Sequence, residues 1–453
     1  MKNKKMLLVA LSAITCLSLA GCKKEDTSSV KLLNFKPELA EKWKTIQTEF
    51  EKDTGIRLVV ETAASGKYES TLRAQIDTDN SPTIFQISGL AGYNSWKAYC
   101  SDMTNLSITS KLTDKGMTVT SDSKIYGIPY SVEGFGIIYN KALTDRYFKA
   151  TNFTRNQNVT VKSMEEVKSY AMLKNVVEDM QKHKSELGIE GVFAPSGLDD
   201  STSWRITGHA FNMPLVAEFG NPTTVPSTFK FSGSEHYKKL LDLYVNNSTM
   251  KPTAMVSSMW DSEKALFSQG KVVMVQNGQW ATNDLSGATV PASNLKFLPL
   301  YTGANQNIND GNESKQGLCV GTEAFWTINS KHSDAKKKNA ETFLNWLLDG
   351  NGRKYAITDL GFSAPYSGFT DANLPEQKDA LVNEFNAWFY NKEGIKSVPW
   401  AFTYTPDTDP LRQKIVAGLR EYYNNDLSAD KWNALVESTK SEWTKLYQQK
   451  FGS

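Results

Sequence analysis

Acid–base chemistry is the first possibility to weigh, because the 453-residue chain carries 49 acidic side chains and four histidines. Their spacing gathers none of them into a catalytic group. Cleavage of a glycosidic bond needs only two flanking carboxylates. Pairs such as Asp199-Asp200, or Asp407 and Asp409, meet so loose a demand by chance. His183, His209, His236 and His332 are scattered, and His183 and His332 stand among lysines in segments that read as surface. There is no G-x-S-x-G, no H-E-x-x-H, no cysteine pair at zinc spacing and no glycine-rich phosphate loop. Asn309-Asp310-Gly311-Asn312-Glu313 has the composition of a calcium loop without its twelve-residue register, and reads as a solvated turn. The expectation is a chain that is not an enzyme and has no metal and no cofactor. The aromatic supply is more telling. Most of the 11 Trp, 18 Tyr and 21 Phe must fill cores, but a few can be spared to stack on a ligand.

Length alone suggests about two to three domains, with enough apolar residues to bury a substantial core. A formal charge of +2, with no dense basic stripe, argues against nucleic acid as a partner. Lys2, Lys4 and Lys5 precede Met6 to Leu19, a mostly apolar run interrupted by Ser12, Thr15 and Ser18 and too short to span a bilayer comfortably. That is the form of a signal peptide, residues 1–21, and Leu19-Ala20-Gly21-Cys22 resembles the end of a bacterial lipoprotein signal. The resemblance implies lipid on Cys22, a polar tether over 22–30, and a membrane-anchored protein on the extracytoplasmic face. Two or three acyl chains anchor stably where one does not, at about 0.8 kcal/mol per buried CH₂. Of the remaining cysteines, Cys16 leaves with the signal. Cys100 and Cys319 are open to two readings, a disulfide formed after export or two buried thiols.

The positioning elements follow from periodicity. Val30 to Phe35 reads as a strand. Leu39, Trp43, Ile46 and Phe50 recur at helical spacing and stop at Gly55; Ile56 to Glu61 reads as a second strand. Tyr68, Leu72, Gln75 and Ile76 suit a helix, and Pro82 to Ile87 a buried strand. This alternation is that of an α/β sheet covered by helices on both faces. Helices are expected over Glu165 to His183, Glu235 to Val245 and Leu411 to Tyr423. Another carries the stripe Trp432, Leu435, Val436, Thr439, Trp443 and Leu446, a packing face.

Three segments then act together. They are Phe50-Glu51-Lys52-Asp53-Thr54-Gly55-Ile56, the run Tyr126-Gly127-Ile128-Pro129-Tyr130 through Glu133-Gly134 to Asn140-Lys141, and Phe267-Ser268-Gln269-Gly270-Lys271 leading to Gln276-Asn277-Gly278-Gln279-Trp280-Ala281. In order and spacing, with weaker matches at Phe297 to Leu300, Ala340 to Leu348 and Gly361 to Pro365, they resemble the maltose-binding-protein-like family of sugar-importer receptors. The resemblance covers nearly all of the chain after the signal. It implies an α/β, two-lobed periplasmic-binding-protein-like (type II) fold with several hinge crossings and a ligand cleft between the lobes. Lobe one would comprise 31–132 and 294–349, and lobe two 133–293 and 350–453. Cys100 and Cys319 would then share a lobe, which brings the disulfide level with the reading of two buried thiols.

The same resemblance implies a monomeric receptor that closes on a mono- or oligosaccharide and hands it to the permease subunits of an ABC importer. Trp280 matches a family tryptophan that stacks on sugar, Glu133 a carboxylate that accepts sugar hydroxyls, and Trp400 a late cleft aromatic. Lys36 and Glu38, just past the first strand, and Gln86, on another, lie where an open α/β sheet presents ligands. Trp204 and Arg205 are candidates from lobe two. Phe325 and Trp326 should point to opposite faces of a strand, and Phe325 is the cleft candidate. The chain also departs from the family's best-known member. Gln86-Ile87-Ser88-Gly89-Leu90 stands where that receptor grips its sugar with an aromatic and a charged pair, so maltose is not implied. Asn152 to Glu166 is also longer than a minimal connection. Two other readings stay open. One is the same fold binding a non-sugar solute; the other is a secreted glycoside hydrolase, which needs carboxylates about 5 to 10 Å apart.

Overall fold

The structure is a computed structural model that describes residues 27–452, except 65–66, 305–310, 323, 371–374, 376, 392–393 and 426. The signal segment and Cys22 lie outside the described residues. Strand β1 (Ser29–Asn34) is buried along its length and pairs in parallel with β2 (Arg57–Thr62) and β3 (Ile84–Ile87). The helix Lys42–Thr54 between the first two strands buries Trp43, Ile46 and Phe50, as their spacing requires, and ends where Gly55 turns left-handed at φ 72°.

Among the described residues, twelve strands form two sheets. The first runs β2-β1-β3-β11-β5-β4, with β4 at Val119–Ser121, β5 at Lys124–Pro129 and β11 at Phe325–Ile328. The second runs β12-β10-β6-β8-β7, and β9 pairs with β6 outside that path. Here β6 is Glu133–Asn140, β7 Gly191–Phe193, β8 Val272–Gly278, β9 Leu295–Leu298, β10 Gln316–Gly321 and β12 Lys396–Pro399. Apolar clusters cover both faces of each sheet. Side chains therefore alternate between two cores along a strand: Phe325 and Trp326 go to opposite sides of the first sheet, and both are buried. The late helices Thr408–Asn424 and Ala429–Phe451 pack on each other, and the second buries Trp432, Leu435, Thr439, Trp443 and Leu446. Val436 is only partly buried at the edge of that face. The helix expected from Glu165 begins later. Met164–Glu166 is a single 3-10 turn, and the helix proper is Tyr170–Lys182, capped by Ser169.

The chain passes between the sheets at 130–132, from β5 into β6, and again between Gly321, the end of β10, and Phe325, the start of β11. These crossings run side by side, since Glu133 pairs with Gly321 on one side and Pro129 with Phe325 on the other. A third connection leads from the first sheet's core, which still holds Tyr366 and Phe369, to the helix Ala380–Asn391 against β9 and β10. Val132 N–H donates to Ser363 O at 2.6 Å, tying this connection to the first crossing.

The sheet membership moves the boundaries expected from sequence. β9 and β10 bond to β6, so Leu295–Leu298 and Gln316–Gly321 lie with the second sheet, while 350–369 packs with the first. Apolar runs identify strands, but a strand's pattern does not say which sheet takes it. The shift separates the two cysteines. Cys100 is buried against the first sheet and Cys319 lies in β10 of the second, and both are free thiols. The disulfide expectation fails for that reason. Burial pushes the Cys100 thiol up to about 12 and raises that of Cys319 as well.

Candidate functional site

The ends of the two sheets that face each other at the crossings form a cleft, and the side chains around it can be built up strand by strand. On the first sheet, β1 stops at Asn34. The Asn34 amide donates to Lys36 O at 2.8 Å, and its oxygen accepts from Lys36 N–H at 3.2 Å, fixing the turn that follows. Phe35 is left 43% exposed, edge-on to Tyr68 at 5.8 Å. Lys36 reaches across the gap, and its Nζ lies 2.5 Å from Oε1 of Glu133, the first residue of β6. This partly exposed pair joins one sheet to the other. Nearby, the helix Gly89–Trp96 of the first sheet lies against 401–404 of the second.

On the second sheet, glycines make room for rings. Gly278 ends β8, and a Cβ there would stand 2.2 Å from the ring of Trp280, which folds back over it. Gly321 ends β10, and a Cβ there would stand 2.4 Å from Cγ of Trp400. Gly278 pairs with Phe135 and Gly321 with Glu133, so paired positions put both rings on the β6 face that carries Phe135 and Glu133. A ribbon of rings results. Trp400 stacks on Phe135 at 5.4 Å, and Phe135 lies flat against His209 at 3.7 Å and 3°. His209 meets Trp204 edge-on at 4.8 Å and Trp280 at 5.8 Å, and the two indoles are 6.4 Å apart. The inner end is sealed, with Trp400 only 5% exposed, whereas Trp280 at the outer end is 43% exposed. Among the described residues, Phe35 and Trp280 are the two large aromatics left this open, one on each lip.

Local backbone explains the placement of Trp204 and His209. Arg205–Ala210 is a π-helical turn, with Phe211 N–H reaching Ile206 O five residues back. Such widened turns cluster at functional sites because they re-aim side chains. Gln276 of β8 donates to His209 Nδ1 at 2.9 Å. Burial first, then the nearby Arg205 charge, holds the imidazole well below its usual range, so the ribbon carries a neutral ring.

The expected site residues therefore divide. Lys36, Glu133, Trp204 and Trp280 come together at the cleft. Trp400 is part of the same ribbon but lies beneath it as floor. Arg205 is buried behind Trp204, between that indole and Trp260. Burial pulls its guanidinium down to about 10 and pushes the neighbouring Glu263 carboxyl up to about 7. Gln86 is also buried, its side-chain oxygen taken by the Tyr130 hydroxyl at 3.1 Å. Phe325 is enclosed by the first sheet's core. Both belong to strands buried on two faces, where position near a strand end does not mean access. Glu38 sits in the turn Pro37–Leu39, and its side chain lies outside the described residues. Reading the sequence missed His209, which no spacing distinguishes from the other histidines. It also missed Phe35, whose one signal is its place just past β1.

Comparison with known proteins gives the family and the fold. A family model described as bacterial extracellular solute-binding protein matches residues 45–383. No curated protein matches the sequence. Among solved structures, a family 1 extracellular solute-binding protein from Bifidobacterium longum subsp. infantis superposes with a TM-score of 0.63 at 16% identity, over 92% of this chain and 99% of its own. The apo form of RafE from Streptococcus pneumoniae gives 0.66 at 15%, over 92% and 97%. The bacterial solute receptor AcbH, described as having an exclusive preference for β-D-galactopyranose, gives 0.67 at 11%, over 92% and 100%. At these identities the likeness is one of fold.

Proposed function

The chain belongs to the bacterial extracellular solute-binding proteins, and we propose that it captures an uncharged carbohydrate in the cleft and delivers it to an ABC importer. The family is one of binding proteins and places the chain outside the cytoplasm. The finer reading, an oligosaccharide receptor held at the membrane by lipid on Cys22, is ours. One observation carries it: an exposed indole, Trp280, extends a ribbon of rings on the sheet that carries Glu133, opposite a lip bearing Phe35 and Lys36, whose ammonium pairs with Glu133. A sugar offers flat C–H faces and many hydroxyls, so it needs aromatic platforms edged by strong acceptors and donors. Trp280 and Trp204 supply the platform. Glu133 and Lys36 supply the polar edge, with Glu38 as a further candidate. The structural relative RafE has been solved in complex with raffinose, which makes a sugar the first ligand class to test.

The mechanism is closure without chemistry. The groups that would meet the ligand are split between two sheets joined by short crossings, so a ligand touching both lips binds the closed arrangement better than the open one. That differential affinity shifts the population, and tight binding without it would shift nothing. Thermal melting of the protein cut after Cys22, against mono- and oligosaccharides, tests the reading. A cognate sugar at about 100 times its Kd stabilises by roughly 2.7 kcal/mol. A shift confined to another solute class would overturn the carbohydrate assignment, and turnover of an oligosaccharide would overturn the receptor assignment.

A further inference from the structure

Arg205 is only 2% exposed, and its Nε and Nη1 make no hydrogen bond. What it touches instead is two indoles. Its central carbon lies 4.2 Å from the ring centre of Trp204 and 3.9 Å from that of Trp260. A planar cation between two π faces exchanges its lost hydration for the ring quadrupoles, which the compact ammonium of a lysine does less well. Trp260 is fixed in turn, its Nε1 donating to Asp284 at 3.0 Å. Glu263 is fully buried, its carboxyl pushed up by that burial, and no contact ion pair joins it to Arg205. The Ser196 and Ser258 hydroxyls stand near that carboxyl without hydrogen-bond alignment. Trp204 is anchored by its Nε1, which donates to Ser201 O at 3.1 Å in an exposed turn. Its plane therefore depends on what lies behind it.

We infer that Arg205 is a positioning residue: stacked between Trp204 and Trp260, it fixes the plane that Trp204 presents to the cleft. It does this without touching the ligand. The inference rests on the proposed function only in giving Trp204 a place in the binding wall. The packing can be tested with no ligand present.

The experiment is near-ultraviolet circular dichroism of the ligand-free protein, with Trp204→Phe used to isolate the Trp204 signal by difference. The same difference is then taken in Arg205→Met and Arg205→Lys backgrounds. Both should lose at least half of the Trp204 signal, since neither presents a planar cation, while the far-ultraviolet spectrum stays that of the parent. Arg205→Met strands a buried carboxyl, so Arg205→Met with Glu263→Gln guards against unfolding. An undiminished Trp204 signal in either folded Met variant would overturn the inference. Full recovery in Arg205→Lys would also overturn it, because charge alone would then suffice. Failure of the carbohydrate reading would show in the melting panel and not here.

Discussion

Truncation of Trp280 to alanine separates a ligand platform from a packing residue, because the ring is 43% exposed. An indole of about 250 Å² leaves roughly 100 Å² of Trp280 open to a ligand. A sugar face covering half of that, and hiding a similar area of its own, removes about 100 Å² from water, worth about 2.5 kcal/mol at ~25 cal/mol per Å². Ordering and imperfect desolvation trim the gain, so Trp280→Ala should weaken binding by about 1.5–2.5 kcal/mol, roughly 10- to 60-fold in Kd. Folding should suffer less. A fully buried aromatic costs about 3–5 kcal/mol when truncated, and this half-open ring should cost about 1–2. Calorimetric titration with the sugar that most raises Tm supplies the number. Gly278→Ala is the companion variant. Its backbone is extended, so alanine is not strained there, but the new Cβ would fall 2.2 Å from the Trp280 ring. The ring stays while its pose is lost, and affinity should fall almost as far as in Trp280→Ala. Unchanged affinity in a folded Trp280→Ala would remove the ring from the site. A loss in Trp280→Ala without one in Gly278→Ala would refute the stacking pose.

Two further outcomes follow from buried groups. Glu263 sits near 7 in the fold against an ordinary 4.5, so the folded protein holds a proton that the unfolded chain has released. Stability from this group is therefore full below about pH 4.5 and lost as pH rises through about 7, by about 3 kcal/mol in all. Glu263→Gln should flatten this dependence, and a wild-type-minus-variant Tm difference that does not change between pH 5 and 8 would refute it. The protein cut after Cys22 should titrate as two thiols when denatured without reductant, and react far more slowly when folded, since Cys100 and Cys319 are buried in separate cores. Finding no thiol after denaturation would mean that the disulfide exists.

What was legible in the sequence was whatever repeats with a short period. The stripe of Trp43, Ile46 and Phe50 gives its helix directly, and Gly55 its end. The change of lobe at 132–133 and the candidacy of Trp280 came instead from the family resemblance; the structure puts a crossing at 130–132 and Trp280 just past the end of β8. Access was harder to read. Gln86 and Phe325 occupy four-residue strands buried at every position, where alternation distinguishes two cores rather than core from solvent. Long-range partnership was illegible. Nothing in Leu295 to Leu298 says that it pairs with β6, and the error in that assignment carried directly into the cysteine pairing.

The same reasoning explains why a sequence signal accompanies Trp280 and none accompanies His209. Three adjacent strands of the second sheet have glycines near their cleft ends: Gly134 in β6, Gly278 in β8 and Gly321 in β10. Each is overlain by a ring, from Phe385, Trp280 and Trp400 respectively, too close to admit a Cβ. Trp280 lies two residues from its glycine, so glycine and ring form one visible motif. Trp400 and Phe385 reach theirs from distant segments, and His209 meets the ribbon from a π-turn with no glycine beneath it. A cleft built by sheet pairing thus advertises in sequence only those side chains that belong to the same strand end. The side chains that back and floor it, Arg205 and Trp400 among them, acquire their roles when remote segments pack.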